Sequence, residues 1–175
     1  MNLDVVFVTK YHIVLMKNKN DEYYMNLALK EAQRAYNIDE VPVGCVIVKD
    51  GVVIAKAHNL RQTKHDVMGH AEILAIKKAT KKLISWVLDG ATLYVTLEPC
   101  LMCAGAILQA RIKKVVFATF EPKHGVVGSL LNVFDEKYNF NHKIEIVSGV
   151  LKDEASLILK NYFKEKRSKT TILTK

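Results

Sequence analysis

The spacing of apolar residues along this chain predicts a succession of helices and strands. Between residues 21 and 37, apolar side chains recur every three or four positions, as on a helix with one buried face. Residues 43–48 and 52–57 are apolar runs separated by Lys49-Asp50-Gly51, a sequence that favours a tight turn. We therefore expect a first helix followed by two antiparallel strands.

Helical and strand patterns alternate along the rest of the chain. The expected elements are a helix at 70–82, a strand at 91–97, a helix at 101–110, strands at 114–119 and 143–148, and a helix at 153–166. Strands that alternate with helices are typical of an α/β fold. The pattern predicts a three-layer α/β/α sandwich around a central five-stranded mixed sheet, without repeats or low-complexity linkers.

Two short stretches bring candidate metal ligands into this framework. His70 precedes the second predicted helix, and Cys100 and Cys103 stand three residues apart at the start of the third. Three such ligands leave one open position on a tetrahedral zinc ion, whereas structural zinc sites use four protein ligands. A structural half-site or a redox cysteine pair is the alternative. The third cysteine, Cys45, lies in an apolar run and is expected to be buried.

Glu72 adds a reason to prefer a catalytic metal site. It lies two residues after His70, so both side chains belong to the first turn of one helix. A carboxylate beside a metal-activated water is placed to accept and return protons. The combination predicts hydrolytic chemistry.

Composition narrows the class of protein further. The 175 residues suit one domain, and the net charge of +8 favours polyanionic partners such as nucleic acid, although many small basic proteins bind none. Three cysteines argue against a disulfide framework and for a reducing compartment, so we expect the cytoplasm. Residues 1–20 contain apolar runs that are interrupted by charged residues, and the segment is too short to span a membrane. We assign no function to it.

The metal motifs also carry a family resemblance. H-x-E followed by P-C-x-x-C is the signature of zinc-dependent cytidine and adenosine deaminases. Over residues 21–167, the chain resembles the bacterial tRNA-specific adenosine deaminases (TadA type) of the cytidine/deoxycytidylate deaminase superfamily. The stretches that carry this resemblance include Glu40-Val41-Pro42-Val43-Gly44, His58-Asn59, His70-Ala71-Glu72-Ile73, Thr96-Leu97-Glu98-Pro99-Cys100 and Cys103-Ala104-Gly105-Ala106-Ile107.

The resemblance implies an activity and an organisation. The implied enzyme has a cytidine deaminase-like fold, one Zn²⁺ per subunit and a homodimeric assembly, and it does not act on membranes. It converts adenosine to inosine at the wobble position of a tRNA anticodon stem-loop. Residues 21–167 would form the deaminase domain, between an N-terminal extension of unknown role at 1–20 and a basic C-terminal tail at 168–175, which we expect to be frayed.

The resemblance also assigns roles to individual residues. Glu72 would be catalytic, Asn59 would hydrogen-bond the purine edge, and the backbone N–H of Ala71 would contact the base. Pro42 and Val43 would form part of the pocket wall. Glu98 would hold the metal-site loop, and Glu121 replaces an aspartate that contacts the sugar-phosphate. The expected RNA contacts are Lys123, Lys164, Lys166 and Arg167, with Tyr162 and Phe163 stacking on flanking bases.

Two other functions are compatible with the motifs. The same metal chemistry serves deaminases of free bases or nucleotides, such as cytosine, cytidine, deoxycytidylate or guanine. A zinc-stabilised RNA-binding subunit without turnover is the second alternative. Glu72 argues against that subunit, because a structural metal site does not require the carboxylate.

Overall fold

The computed structural model describes residues 6–9, 12–15 and 20–173, and the side chains of residues 20–169. Strands β1 (Val6–Thr9) and β2 (His12–Leu15) pair antiparallel in a small sheet of their own. The remaining elements are α1 (Asp21–Asn37), β3 (Gly44–Lys49), β4 (Val52–His58), α2 (Ala71–Leu83), β5 (Thr92–Leu97), α3 (Leu101–Gln109), β6 (Lys114–Thr119), a short 3₁₀ helix (Glu136–Tyr138), β7 (Glu145–Ser148) and α4 (Lys152–Leu173).

The five strands from β3 to β7 form one mixed sheet in the order β4-β3-β5-β6-β7. Strand β3 pairs antiparallel with β4 across the predicted tight turn and with β5 on its other side. Strands β5, β6 and β7 run parallel, and α3 supplies the crossover that a parallel pair requires. The predicted five-stranded mixed sheet is confirmed.

Alternate residues of the strands face two separate helical layers. On one face, α2 and α3 pack against Cys45, Leu93 and Phe117. On the other face, α1 and α4 pack against Val46 and Tyr94. This period-two alternation gives the predicted three layers, because successive side chains of a strand point to opposite faces of the sheet.

A close approach between α1 and β3 depends on a glycine. A Cβ atom at Gly44 would lie 2.0 Å from the carbonyl oxygen of Ala28 and 2.4 Å from the backbone nitrogen of Ala32. Only a residue without a side chain allows the helix to pack this near to the strand. The contact fixes the segment before β3, which carries Val43 into the candidate site.

The last helix is longer than its apolar pattern predicts. The expected helix ends at residue 166, but α4 continues to Leu173, through most of the segment that was expected to be frayed. Residues 167–173 contain neither glycine nor proline, so no residue in this segment interrupts the helical hydrogen bonds. Within the described residues, no helix has the length and apolar character needed to cross a membrane.

Candidate metal centre and catalytic pocket

Two helix N-termini bring three metal-ligand side chains together. His70 is the residue before α2, Cys100 is the residue before α3, and Cys103 lies in the first turn of α3. The Nδ1 atom of His70 is 3.6 Å from the Sγ atom of Cys100 and 3.5 Å from the Sγ atom of Cys103. The three ligand atoms all lie within 4.8 Å of one another, so the group could hold a metal ion.

The two sulfurs differ in how readily they lose a proton. The hydrogen bond from the Cys103 thiol lowers the pKa of Cys100 to about 4, with a further contribution from His70. The same bond raises the pKa of Cys103, and burial adds to this effect. One thiolate is therefore available before any metal binds. A bound cation would favour deprotonation of the second sulfur as well.

Glu72 places a buried carboxylate beside this ligand group. It lies in the first turn of α2 and is only 4% exposed. Burial raises the pKa of Glu72, and the negative charge of Cys100 acts in the same direction. A carboxyl group with a raised pKa exchanges protons more readily near neutral pH than an ordinary glutamate does.

A single cavity of about 260 Å³ opens onto the ligand group and Glu72. Its volume lies near the small end of ligand pockets, and it suits a single nucleobase better than a larger ligand. Its walls contain six residues assigned to the site from the sequence, together with Glu98, which was expected to support the site. These residues are Val43, Asn59, His70, Glu72, Cys100 and Glu121 with Glu98; Val41, Arg61, Leu97 and His124 complete the lining.

Glu98 holds the loop that forms one side of the cavity. Its carboxylate accepts hydrogen bonds from the backbone N–H groups of Glu121 (2.9 Å), Val127 (2.8 Å) and Ser129 (3.0 Å), and from the Ser129 hydroxyl. Burial alone would raise the pKa of Glu98, but these bonds outweigh it and the pKa is lowered. Glu98 therefore supports the loop at 121–129, and its expected role in holding the metal-site loop stays a prediction.

Gly125 allows this loop to lie directly on Glu98. A Cβ atom at Gly125 would be 2.2 Å from a carboxylate oxygen of Glu98. Cys100 and Gly125 also form an isolated antiparallel bridge, which ties the loop to the start of α3. The loop can therefore pack against Glu98 only because residue 125 has no side chain. In this position, Glu121 and His124 line the cavity.

Asn59 enters the cavity from the end of β4. Its side chain is 6% exposed, and its Nδ2 atom donates a 2.9 Å hydrogen bond to the Oε2 atom of Glu40. Its backbone N–H donates to the carbonyl oxygen of Val43 at 3.0 Å. Pro42 is buried but does not line the cavity, which Val41 and Val43 border instead.

The remaining residues expected at the site lie around it. Ala71 is buried at the first position of α2, next to His70. Lys123 is exposed, and its backbone N–H donates to the carboxylate of Glu121 at 2.9 Å. On α4, Phe163 is 44% exposed, and Lys164 and Arg167 are also on the surface.

Tyr162 does not have the position that base stacking requires. It is 6% exposed, its ring packs against Tyr36, and its hydroxyl donates to the carbonyl oxygen of Asp39 at 2.9 Å. Lys166 forms an ion pair with the carboxylate of the same aspartate. A buried ring has no open face for a base, so Tyr162 is a packing residue that joins α4 to the end of α1.

Four of the lining residues were not predicted from the sequence. Arg61 lies in the turn that follows Asn59, and His124 lies in the loop anchored by Glu98. Neither residue belongs to a metal motif, so the sequence contains no direct indication that they line the cavity. Val41 lies two residues before Val43, and Leu97 lies directly before Glu98. Their closeness in sequence to residues already assigned to the site was the available signal.

Comparison with known proteins agrees with this geometry. A protein-family model for the MafB19-like deaminases matches residues 19–167. The chain is 52% identical over 149 residues to a tRNA-specific adenosine deaminase of Bacillus subtilis, covering 85% of this chain and 92% of the relative. It is 46% identical over 147 residues to the Aquifex aeolicus protein of the same name, covering 84% and 96%.

A solved structure is similar over a comparable span. It comes from a study of A-to-I editing by tRNA:A34 deaminases at the wobble position of transfer RNA. It superimposes with a TM-score of 0.75 at 44% identity, covering 78% of this chain and 99% of that one. The family model places the chain among the deaminases, and the curated relatives and this structure show that it belongs to the tRNA-specific adenosine deaminase family.

Proposed function

We propose that this protein converts adenosine to inosine, with release of ammonia, at the wobble position of a tRNA anticodon loop. The observation that carries the proposal is the buried Glu72 carboxylate beside the His70, Cys100 and Cys103 group, in a cavity that suits one base. The names of the relatives supply the substrate. A base already unstacked in a loop can enter such a cavity without the cost of opening a duplex.

The proposed metal is a single zinc ion. Zn–N bonds of about 2.0–2.1 Å and Zn–S bonds of about 2.3 Å, arranged tetrahedrally, separate nitrogen from sulfur by about 3.6 Å. The observed Nδ1–Sγ distances of 3.6 and 3.5 Å match that spacing. When bound through His70, Cys100 and Cys103, zinc supplies a Lewis acid that lowers the pKa of a coordinated water toward about 7.

Glu72 is the proposed proton carrier. Its carboxylate takes a proton from the attacking water and delivers it to N1 of the adenine, which makes C6 more electrophilic. After the water oxygen has bonded to C6, Glu72 takes the second proton from the new C6 hydroxyl and gives it to the amine. The C6–N6 bond then breaks as the C6=O bond forms, so one water is consumed and one ammonia is released for each inosine. A positioned proton carrier of this kind typically contributes about 10²- to 10⁴-fold.

Substrate recognition is assigned to the wall of the cavity and to the basic surface around it. Asn59 and the backbone N–H of Ala71 would contact the base, with Val43 and the neighbouring Pro42 supporting the wall. Glu121 would contact the sugar. The proposed RNA contacts outside the cavity are Lys123, Lys164, Lys166 and Arg167, whose charges suit phosphates. The exposed ring of Phe163 is assigned to stacking on a flanking base.

The assembly and location follow as parts of the same proposal. We expect a homodimer, because large apolar side chains are exposed around the metal site, including Leu101 (65%), Leu130 (58%) and Leu131 (45%). We assign the deaminase domain to residues 21–167 and the protein to the cytoplasm, where tRNA and reduced thiols coexist.

The direct test uses the zinc-loaded full chain and an anticodon stem-loop with adenosine at the wobble position. We expect inosine in the stem-loop, measured by mass, and at least about 100-fold less product with Glu72→Ala protein that still binds zinc. Free adenosine, guanine and cytidine serve as competing substrates. Turnover of a free base without stem-loop editing would contradict the RNA substrate, and equal turnover by Glu72→Ala would contradict the role of Glu72.

A further inference from the structure

Glu40 is a fully buried carboxylate that takes no part in the proposed chemistry. It is 0% exposed and follows α1, where its backbone N–H donates to the carbonyl oxygen of Ala35 at 3.0 Å. Within the residues that the structure describes, Glu40 forms no ion pair. Burying a carboxylate without a cation is costly, so its hydrogen bonds must account for its position.

Both oxygens of Glu40 bind the segment that carries Asn59 into the cavity. The Oε2 atom accepts from Nδ2 of Asn59 at 2.9 Å, and the Oε1 atom accepts from the backbone N–H of Thr63 at 2.6 Å. Asn59 lines the cavity, whereas Glu40 is not among the lining residues. Glu40 thus contacts the site only through its partners.

The Glu40 carboxylate determines which way the Asn59 amide points. Carboxylate oxygens only accept hydrogen bonds, so the group that faces Glu40 must be the NH₂ of Asn59. The backbone of Asn59 is held by its bond to Val43, which prevents the residue from shifting as a whole. The carbonyl oxygen Oδ1 and at most one N–H then remain to meet a ligand.

An amide fixed in this orientation discriminates between purines. Adenine presents a 6-amino donor beside the N7 acceptor, and an asparagine amide can pair with both. A 6-oxopurine presents two acceptors, O6 and N7, and would set O6 against the Asn59 oxygen. Inosine, the reaction product, has this second pattern.

We propose that Glu40 is a positioning residue that fixes the Asn59 amide in the orientation complementary to a 6-aminopurine and opposed to a 6-oxopurine. The inference rests on the proposed function, because it takes Asn59 to meet the purine edge. It adds that preference for the adenosine substrate over the inosine product depends on a side chain outside the cavity.

The substitution Glu40→Gln tests this role at nearly constant size. A glutamine must direct its oxygen to the Thr63 N–H, which sets its NH₂ against the NH₂ of Asn59. The conflict is relieved when the Asn59 amide rotates by half a turn. We therefore expect the preference for adenosine over inosine to fall about tenfold, within the range for one bidentate base contact.

Binding in proteins that carry Glu72→Ala separates this inference from turnover. The dissociation constants of stem-loops with adenosine or inosine at the wobble position are compared with and without Glu40→Gln, in zinc-loaded full chain. We expect the inosine-to-adenosine ratio to be about 10 in the parent and to approach 1 in the double variant. Turnover by the wild-type protein tests the proposed function independently.

Two further variants identify the route of the effect. In an Asn59→Ala background, Glu40→Gln should leave the ratio unchanged, because the amide through which Glu40 acts is absent. Glu31→Gln is the matched control. Glu31 is also buried, at 3% exposed, but it pairs with Arg34 and His58 and does not line the cavity. Its ratio should equal that of the parent.

Three results would overturn the proposal. First, equal binding of both stem-loops by the parent protein would mean that there is no preference for Glu40 to cause. This result does not depend on the folding of a Glu40 variant. An unchanged ratio in a folded Glu40→Gln protein would leave Glu40 with a structural role alone. The same shift in the Asn59→Ala background would show that Asn59 does not transmit the effect.

Discussion

At the scale of single residues, the candidate metal site combines the imidazole nitrogen of His70 with the sulfurs of Cys100 and Cys103. Cys103 is fully buried, whereas Cys100 and His70 are partly exposed, so Cys103 forms the inner side of the group. Sulfur is a better ligand than a hydroxyl oxygen for an ion such as zinc. The identity of this one atom should therefore decide whether the metal is retained.

We expect Cys103→Ser to lose most of its zinc. The serine keeps the size of the side chain but replaces the thiolate with a weaker, harder ligand, so the metal content should fall from about one ion per chain to well below half. Elemental analysis after dialysis measures this content. Cys45→Ser is the matched control, because Cys45 is equally buried in β3 but outside the ligand group. Retention of a full equivalent by Cys103→Ser would contradict the assigned ligand.

Elements set the relative positions of the catalytic groups. The N-termini of α2 and α3 supply the ligands, and the positive end of a helix dipole favours the thiolates that a metal needs. The loop at 121–129 closes the other side of the cavity through its bonds to Glu98. Its conformation depends on the open space at Gly125.

We expect Gly125→Ala to lower kcat/KM by about tenfold or more while zinc remains bound. The added Cβ atom would lie 2.2 Å from a Glu98 oxygen, so the loop must move and carry Glu121 and His124 away from the cavity. A 1 Å displacement can cost about 100-fold in rate. Steady-state kinetics on the stem-loop and zinc analysis measure the two effects.

Gly105→Ala provides the control for that change. Gly105 lies within α3, and a Cβ atom there would meet no atom within 4 Å beyond its own helical backbone and chain neighbours. Alanine in a helix interior is about 0.5–1 kcal/mol more favourable than glycine, so thermal stability should rise slightly and kcat/KM should stay constant. Full activity of Gly125→Ala would show that the loop position does not matter.

At the scale of the whole molecule, several large apolar side chains are exposed on segments that lie next to the candidate metal site. Leu101 begins α3 beside Cys100, and Leu130 and Leu131 follow the loop anchored by Glu98. Phe120, at 42% exposed, lies next to Gly128 in the same region. Exposed large apolar side chains are typical of an interface between subunits, and they support the proposed homodimer.

We expect the wild-type chain of 19.8 kDa to have about twice that mass in solution, measured by light scattering during size-exclusion chromatography. Leu130→Asp should yield monomers, because the interface would bury an unpaired charge. Ile84→Asp is the control: Ile84 is 94% exposed but follows the opposite end of α2 from the metal site. A wild-type monomer, or equal dissociation by both variants, would contradict this interface.

The sequence by itself determined the elements and the candidate metal ligands. Period-two and helical spacings reflect local backbone geometry, so they located the sheet and the four helices from α1 to α4. The errors at their ends were small except at the C-terminal end of α4, which continues from the predicted residue 166 to Leu173. His70 could be found because it lies two residues before Glu72. Cys100 and Cys103 could be found because they lie within one helical turn of each other. Ligand type and short spacing are properties that a linear chain displays directly.

Only the tertiary structure decided how separate segments meet. Glu40 reaches Asn59 across 19 positions, and His124 reaches the cavity through the Glu98 loop. Tyr162 was predicted to stack on a base, but in the structure it packs against Tyr36 at the end of α1. Such contacts depend on the packing of whole elements and on which buried polar groups find partners, and neither is recorded in the spacing of residues along the chain.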